Sequence, residues 1–174
     1  MKRLLRIVVI FLGLIFISSS CTYTLSLNGA SIPLAMKTVR VDFFENNSPL
    51  VVNTLSRQFT EALKTRIRNT TRLDVVQAGD ADAIFSGSIT DYNIAPVSIQ
   101  ATNNNVAPIA GASRLTITVR VKYAYDADKK YSFEETFSRY EDFTGDIAAK
   151  EQTLIADINK QLTEDIFNKA FANW

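Results

Sequence analysis

Between Arg114 and Tyr125 the chain alternates without a fault. Leu115, Ile117, Val119, Val121, Tyr123 and Tyr125 fall on one side, and Arg114, Thr116, Thr118, Arg120 and Lys122 on the other. Successive side chains of a strand point to opposite faces, so this run predicts a half-buried β-strand with an apolar inner face and a cationic outer one. Lys37 to Phe43 repeats the pattern more weakly, with Val39, Val41 and Phe43 sharing a face. Arg72 to Gln77 reads as a short strand. Ala83 to Ile89 opens a longer one that extends to Val97, with Gly87 marking a bulge. Asp126 to Lys130 is a hairpin turn, and Tyr131 to Phe143 is the partner strand.

Two segments change period. Ser48 suits a helix cap and Pro49 a first helical position. Val51, Leu55, Phe59, Ala62, Leu63 and Ile67 then recur at helical spacing, which predicts a helix over 49–69 that stops at Asn69-Thr70-Thr71. After Gly145-Asp146 a second stripe follows, made of Leu154, Ile158, Leu162 and Ile166 and widened by Ile155, Phe167, Ala170 and Phe171. The chain ends at Trp174 inside this apolar run, so its end is expected to dock on the core. Gln100 to Ser113 carries no charge, is rich in Asn, Ala and Gly, and reads as a flexible loop. The order is β-α-β-β-β-β-α. Each helix has a single apolar stripe and the sheet one apolar face. The fold class is therefore α+β, a two-layer sandwich with a mainly antiparallel sheet of four to five strands and two helices on one face.

The first 36 residues follow other rules. Lys2, Arg3 and Arg6 precede Ile7 to Ile17, an apolar run of eleven residues broken only by Gly13. A membrane span needs about 20 residues. A positive start, a short apolar centre and small residues behind it predict a secretory signal peptide over 1–20. Ser18-Ser19-Ser20 directly before Cys21 resembles a lipobox, in which Cys21 becomes the acylated first residue; an uncleaved anchor or a secreted protein with a free thiol is the alternative. Residues 21–36 are then a lipidated tether and 37–174 a single domain. Thr22 follows the cysteine where an inner-membrane retention signal has Asp, so the expected address is the outer membrane, facing the periplasm.

Composition narrows the chemistry. The 174 residues include 19 Lys and Arg, 18 Asp and Glu, one Cys and no His. Residues 1–20 hold three of the cations and none of the acids, which leaves the remainder at 16 against 18. Such a balance gives no support for nucleic-acid binding. Without histidine there is no Ser-His-Asp triad, Cys-His dyad or HExxH zinc site. A single cysteine rules out an internal disulfide and a cysteine-cluster metal site. Glu134 and Glu135 are neighbours in a strand, point to opposite faces and cannot share a substrate. No SxxK motif occurs. The expectation is a non-enzymatic protein with no cofactor.

Several stretches together resemble the LPS-assembly lipoprotein LptE family. They are Gly29 to Pro33 (GASIP), Ser48 to Lys64, Thr71 to Val76, Pro96 to Gln100, Arg114 to Tyr123, Phe137 to Phe143 and Asp165 to Trp174. The resemblance implies the same α+β sandwich, a place inside the outer-membrane β-barrel LptD as its partner and plug, lipopolysaccharide as a ligand, and no reaction. A generic periplasmic lipoprotein that binds a small amphiphile or another envelope protein is the second reading.

Three surfaces are candidates for such contacts. Arg114, Arg120 and Lys122 offer charge-assisted hydrogen bonds to lipid A phosphates, unless Glu134 or Glu135 on the hairpin partner neutralises them. The loop residues Asn105, Val106, Pro108 and Ile109 form an uncharged stretch suited to a barrel partner. Tyr131, Phe133, Phe137, Tyr140 and Phe143 alternate imperfectly. Packing against the final helix is the favoured reading for them, and a barrel contact the alternative.

Overall fold

The computed structural model describes residues 32–50, 52–100 and 109–172. Along the chain lie β1 (Thr38–Val41), β2 (Glu45–Asn46), α1 (Leu55–Thr70), β3 (Asp74–Val76), β4 (Ala83–Gln100) and β5 (Ile109–Tyr125). A 3-10 turn (Lys129–Tyr131), β6 (Phe133–Phe143) and α2 (Glu151–Phe171) complete it. The strands run side by side as β3-β1-β4-β5-β6, with β2 also on β4. This is the α+β class the periodicity predicts, with both helices on one face.

The sheet is mixed: its two long pairings are antiparallel, as the sequence predicts, and its short ones are parallel. β1 runs parallel to both β3 and β4, and β2 parallel to β4. Only β4–β5 and β5–β6 are antiparallel. The helical crossover between β1 and β3 is the cause, since it returns the chain to the starting edge of the sheet before the next strand begins. The short connection from β3 to β4 then passes across β1, where Arg40 Nη1 donates to Gly79 O at 2.6 Å.

The inner face of β5 is as regular as its sequence. Leu115, Ile117, Val119, Val121 and Tyr123 are fully buried. Phe85 and Tyr123 pack at 4.7 Å between ring centroids, and Phe171 of α2 meets each at 5.9 Å. The Tyr123 hydroxyl donates to Met36 Sδ at 3.9 Å, and burial raises its pKa above the ordinary tyrosine value. From above, α1 supplies Leu55, Phe59, Leu63 and Ile67, and α2 supplies Leu154, Ile155, Ile158, Leu162 and Ile166. The helices run in the same sense, since Gln58 bonds Gln152 near their starts and Arg66 reaches Thr163 further along.

Several local expectations are corrected. β1 ends at Val41, so the inward alternation stops before Phe43, which is 60% exposed, and Phe44 turns in completely. Phe44 N donates to Thr60 Oγ1 at 3.1 Å, and its ring meets that of Phe59 at 5.0 Å. The first helix starts at Leu55 and not at Pro49, because Ser48 Oγ lies 2.6 Å from both Asn46 Oδ1 and Leu50 O and closes a turn instead of capping. Val51 and Trp174 lie outside the described residues.

Gly87 is not a bulge. It stands in register with Val121. Glycine is required because φ is +156° and a Cβ would lie 2.0 Å from Arg120 O and 2.8 Å from the Phe44 ring. The bulge falls at Thr90, between the pairs Ile89–Val119 and Asp91–Thr118. Inward positions before it are Phe85 and Ile89, and after it Tyr92. Tyr92 donates its hydroxyl to Glu151 at the start of α2, at 2.8 Å. Burial first, and Glu151 second, raise its pKa.

Candidate functional site

Because both helices lie on the inner face, the other face of the sheet carries the outward residues of β4, β5 and β6. Arg114, Thr116, Thr118, Arg120 and Lys122 run along β5 and stand opposite Asp142, Tyr140, Ser138, Thr136 and Glu134 of β6. On the β4 side, Ser88 stands opposite Arg120 and Ser86 opposite Lys122. The result is a sheet face of cations, hydroxyls and carboxylates.

The three predicted cations are on this face but are not equivalent. Arg114 forms a two-point pair with Asp142, at 2.7 Å from Nε and 3.0 Å from Nη2. Its guanidinium carbon also lies 3.7 Å from the Tyr140 ring centroid. A planar fork held against a carboxylate and an aromatic face is satisfied in both of its binding modes. The hydrogen bonds from Arg114 hold the Asp142 carboxyl below its ordinary pKa. The neutralising acid is thus Asp142, placed by the register, and not Glu134 or Glu135. Glu135 points to the helix face, where it pairs with Lys169 at 2.9 Å.

Arg120 and Lys122 remain exposed and enter no ion pair among the described residues. They lie six to eight residues along the strand from Arg114, roughly 20 Å or more at 3.3 Å per residue. Their cross-strand neighbours are Ser86 and Ser88 on one side and Thr136 and Glu134 on the other, Glu134 opposite Lys122 without an ion pair, with Thr118 and Ser138 sharing a hydrogen bond of 3.0 Å nearby. Two cations among hydroxyl donors form a surface suited to phosphate oxygens. The period of β5 reveals the cations. Ser86, Ser88 and Thr136 join them only through strand register.

The predicted loop is shorter than the sequence suggests. β4 continues to Gln100 and β5 begins at Ile109, so that Ile109 pairs with Gln100 and residues 109–113 are strand. The low charge and small residues read as a loop, yet the antiparallel partner extends the ladder through them. Asn105, Val106 and Pro108 lie outside the described residues, as does Cys21. β6 reaches no further than Ser113, paired with Phe143. Beyond that point β4 and β5 continue as a two-stranded ribbon, with Val97 exposed upon it; Ile94, also exposed, lies just before it, opposite Leu115. Among the aromatics, Phe133 and Phe137 pack on the core with Tyr131, and Phe143 is buried. Tyr140 alone of this set turns outward, 51% exposed, beneath Arg114. No group of His, Cys, Asp and Glu among the described residues is arranged to hold a metal, and no described helix is long and apolar enough to cross a membrane.

A two-layer α+β domain with one sheet face turned away from its helices, and two unpaired cations on that face, is the class the geometry defines. A structure from Xanthomonas campestris matches it with a TM-score of 0.50 at 11% identity, covering 79% of this chain and 87% of that one. Rare lipoprotein B from Shewanella oneidensis matches with a TM-score of 0.48 at 10% identity, covering 76% and 92%. Lipoprotein B from Nitrosomonas europaea gives 0.48 at 17% identity, covering 76% and 80%. A search of curated protein sequences returns no significant match. The family model LptE, described as lipopolysaccharide-assembly, matches residues 36–170, well over half of the chain. The chain therefore belongs to the LptE lipopolysaccharide-assembly family.

Proposed function

We propose that this chain is a lipid-anchored outer-membrane component of lipopolysaccharide export, a non-enzymatic partner and plug of an LptD-type β-barrel that holds lipopolysaccharide on its open sheet face. Residues 1–20 are the signal peptide, Cys21 carries the lipid, 21–36 are the tether, and 37–174 are the working domain. The family match supports the pathway. The observation that carries the ligand reading is the contrast on β5: Arg114 is neutralised by Asp142, while Arg120 and Lys122 stay exposed and enter no ion pair among the described residues. At Arg120 the cross-strand neighbours are hydroxyls, and at Lys122 a phosphate meets Glu134 only across the strand, whereas at Arg114 it must compete with a bidentate carboxylate. The mechanism is occupancy and presentation. The domain fills the barrel lumen, and the ribbon with the 101–108 segment, including Asn105, Val106 and Pro108 next to Ile109, contacts the wall.

Lipopolysaccharide capture by the purified chain tests the ligand reading. Each lost cation–phosphate bond lowers affinity about tenfold, so Arg120→Glu with Lys122→Glu abolishes capture and Arg114→Ala changes it little. Equal damage from Arg114→Ala contradicts this assignment. Purification of the tagged chain from detergent-solubilised outer membrane tests the partnership; recovery of a large β-barrel is expected, and monomer alone rejects it.

A further inference from the structure

The helix layer holds a second feature, on the side turned away from the sheet. Between α1 and α2 lies a groove of about 650 Å³, within the range of ordinary small-ligand sites, roughly 300–1,000 Å³. Ala62 of α1 and Ala156 of α2 are among its lining residues, small side chains in places where larger ones would narrow it. In its floor Asn159 is only 2% exposed, and its Oδ1 has no hydrogen-bond partner. Gln58 Oε1, on the facing wall, is a second buried acceptor without a partner, although Gln58 Nε2 bonds Gln152. Buried polar atoms are almost always paired, and one left unpaired is costly. Two orphan carbonyl oxygens in one groove call for a ligand that donates hydrogen bonds.

The rest of the lining says which donor. Arg66 holds Thr163 Oγ1, Lys160 O and Glu164 Oε2, all at 3.4 Å, which are long bonds that a closer partner replaces easily. Its charge already faces Glu164, and Glu61 and Lys160 add one charge of each sign to the lining, so the groove has little net pull on a phosphate. No aromatic ring and no large aliphatic side chain lines it, so an apolar peptide side chain finds no anchor pocket. Amides, hydroxyls, one loosely held guanidinium and a balanced Glu61 and Lys160 match a molecule that both donates and accepts at many points while carrying no charge. We infer that the α1–α2 groove is a binding site for an uncharged saccharide, whose hydroxyls donate to Asn159 Oδ1 and Gln58 Oε1 and accept from Arg66.

This inference stands apart from the phosphate reading of the sheet face, since the two surfaces lie on opposite layers of the domain. The experiment keeps them separate by its probe: a neutral oligosaccharide of hexoses, which carries neither phosphate nor carboxylate. It is titrated into the full, isotope-labelled chain in detergent micelles, with the side-chain amide signals of Gln58, Gln152 and Asn159 as reporters. The expected result is saturable shifts at these amides at millimolar saccharide, abolished by Ala156→Phe, which fills the groove, and by Asn159→Leu, which removes the orphan acceptor. Asn159→Leu also raises the melting temperature, because it removes an unpaired buried polar atom, and so reports binding in a folded protein even where the Phe variant does not fold. Absence of saturable shifts, shifts confined to the sheet face around Arg120, or binding that survives Asn159→Leu overturns the inference.

Discussion

Gly87→Ala is a small change with a large expected cost. The added methyl group would sit 2.0 Å from the carbonyl oxygen of Arg120, on the neighbouring strand, and 2.8 Å from the ring of Phe44. The second contact is relieved only by moving a side chain that is completely buried between the sheet and Phe59. The first is backbone against backbone, so relief requires β4 and β5 to part at the pair Gly87–Val121. The φ of +156° adds its own strain for any residue with a Cβ. Left-handed strain of about 1–2 kcal/mol and overpacking of about 1–3 kcal/mol together give roughly 2–5 kcal/mol. That is a large share of the ~5–15 kcal/mol that holds a typical domain together. The structure supplies its own controls. Gly79 (φ +85°) and Gly145 (φ +78°) are also left-handed, but nothing lies within 4 Å of a Cβ at either. Alanine there bears only the backbone strain, about 1–2 kcal/mol. Urea unfolding followed by far-ultraviolet circular dichroism ranks the three variants, with Gly87→Ala well below the other two. Three equal midpoints would show that strand spacing at Gly87 is not what the residue protects.

Two further outcomes follow from the packing and the hydrogen bonds. Phe171→Ala removes a fully buried ring that touches Phe85, Tyr123 and Phe167, and should cost about 3–5 kcal/mol with loss of near-ultraviolet dichroism. The Asp82 carboxylate accepts from Lys37 N at 2.8 Å, Thr38 N at 2.9 Å and Thr38 Oγ1 at 3.0 Å, and these bonds lower its pKa in the fold below the ordinary 3.8. A carboxylate depressed on folding adds stability above its unfolded pKa and loses it as pH falls through the folded value. Asp82→Asn should therefore weaken the protein at neutral pH and flatten its acid-side loss, as read from unfolding midpoints measured down the pH scale.

Much of this architecture is legible in local pattern, because local pattern is what decides it. β5 alternates over its whole apolar run, and the six inward residues that the sequence names are all buried. The stripes on the two helices likewise name the buried residues of the helix layer, among them Leu55, Phe59, Leu63, Leu154 and Leu162. What stays hidden depends on which strands meet. Nothing in Lys37 to Phe43 tells that β1 has parallel neighbours on both sides, or that its alternation stops at Val41 so that Phe44 enters the core in place of Phe43. Gly87 signals an irregularity, yet a glycine that admits a neighbouring backbone and a glycine in a bulge look alike in sequence; the bulge itself is at Thr90, which has no distinguishing composition. The cations of the candidate site are visible from the period of β5. Their ranking is not, since the register sets Asp142 opposite Arg114 and sends Glu135 to the other face. The helix groove leaves no mark beyond two alanines, because an unpaired carbonyl is a property of packing.

The extra residue at Thr90 constrains how this sequence can change. Upstream of it, core positions on β4 fall on odd numbers, such as Phe85 and Ile89; downstream they fall on even ones, beginning with Tyr92. Removing Thr90 alone would leave Ile89–Val119, Asp91–Thr118 and Tyr92–Ile117 as consecutive pairs, so the bulge would close with both faces unchanged. Removing a second residue would set Tyr92 opposite Thr118 and turn it out of the core, together with its bond to Glu151. The strand is written in two reading frames joined at one threonine, so this stretch can lose that one residue but not two.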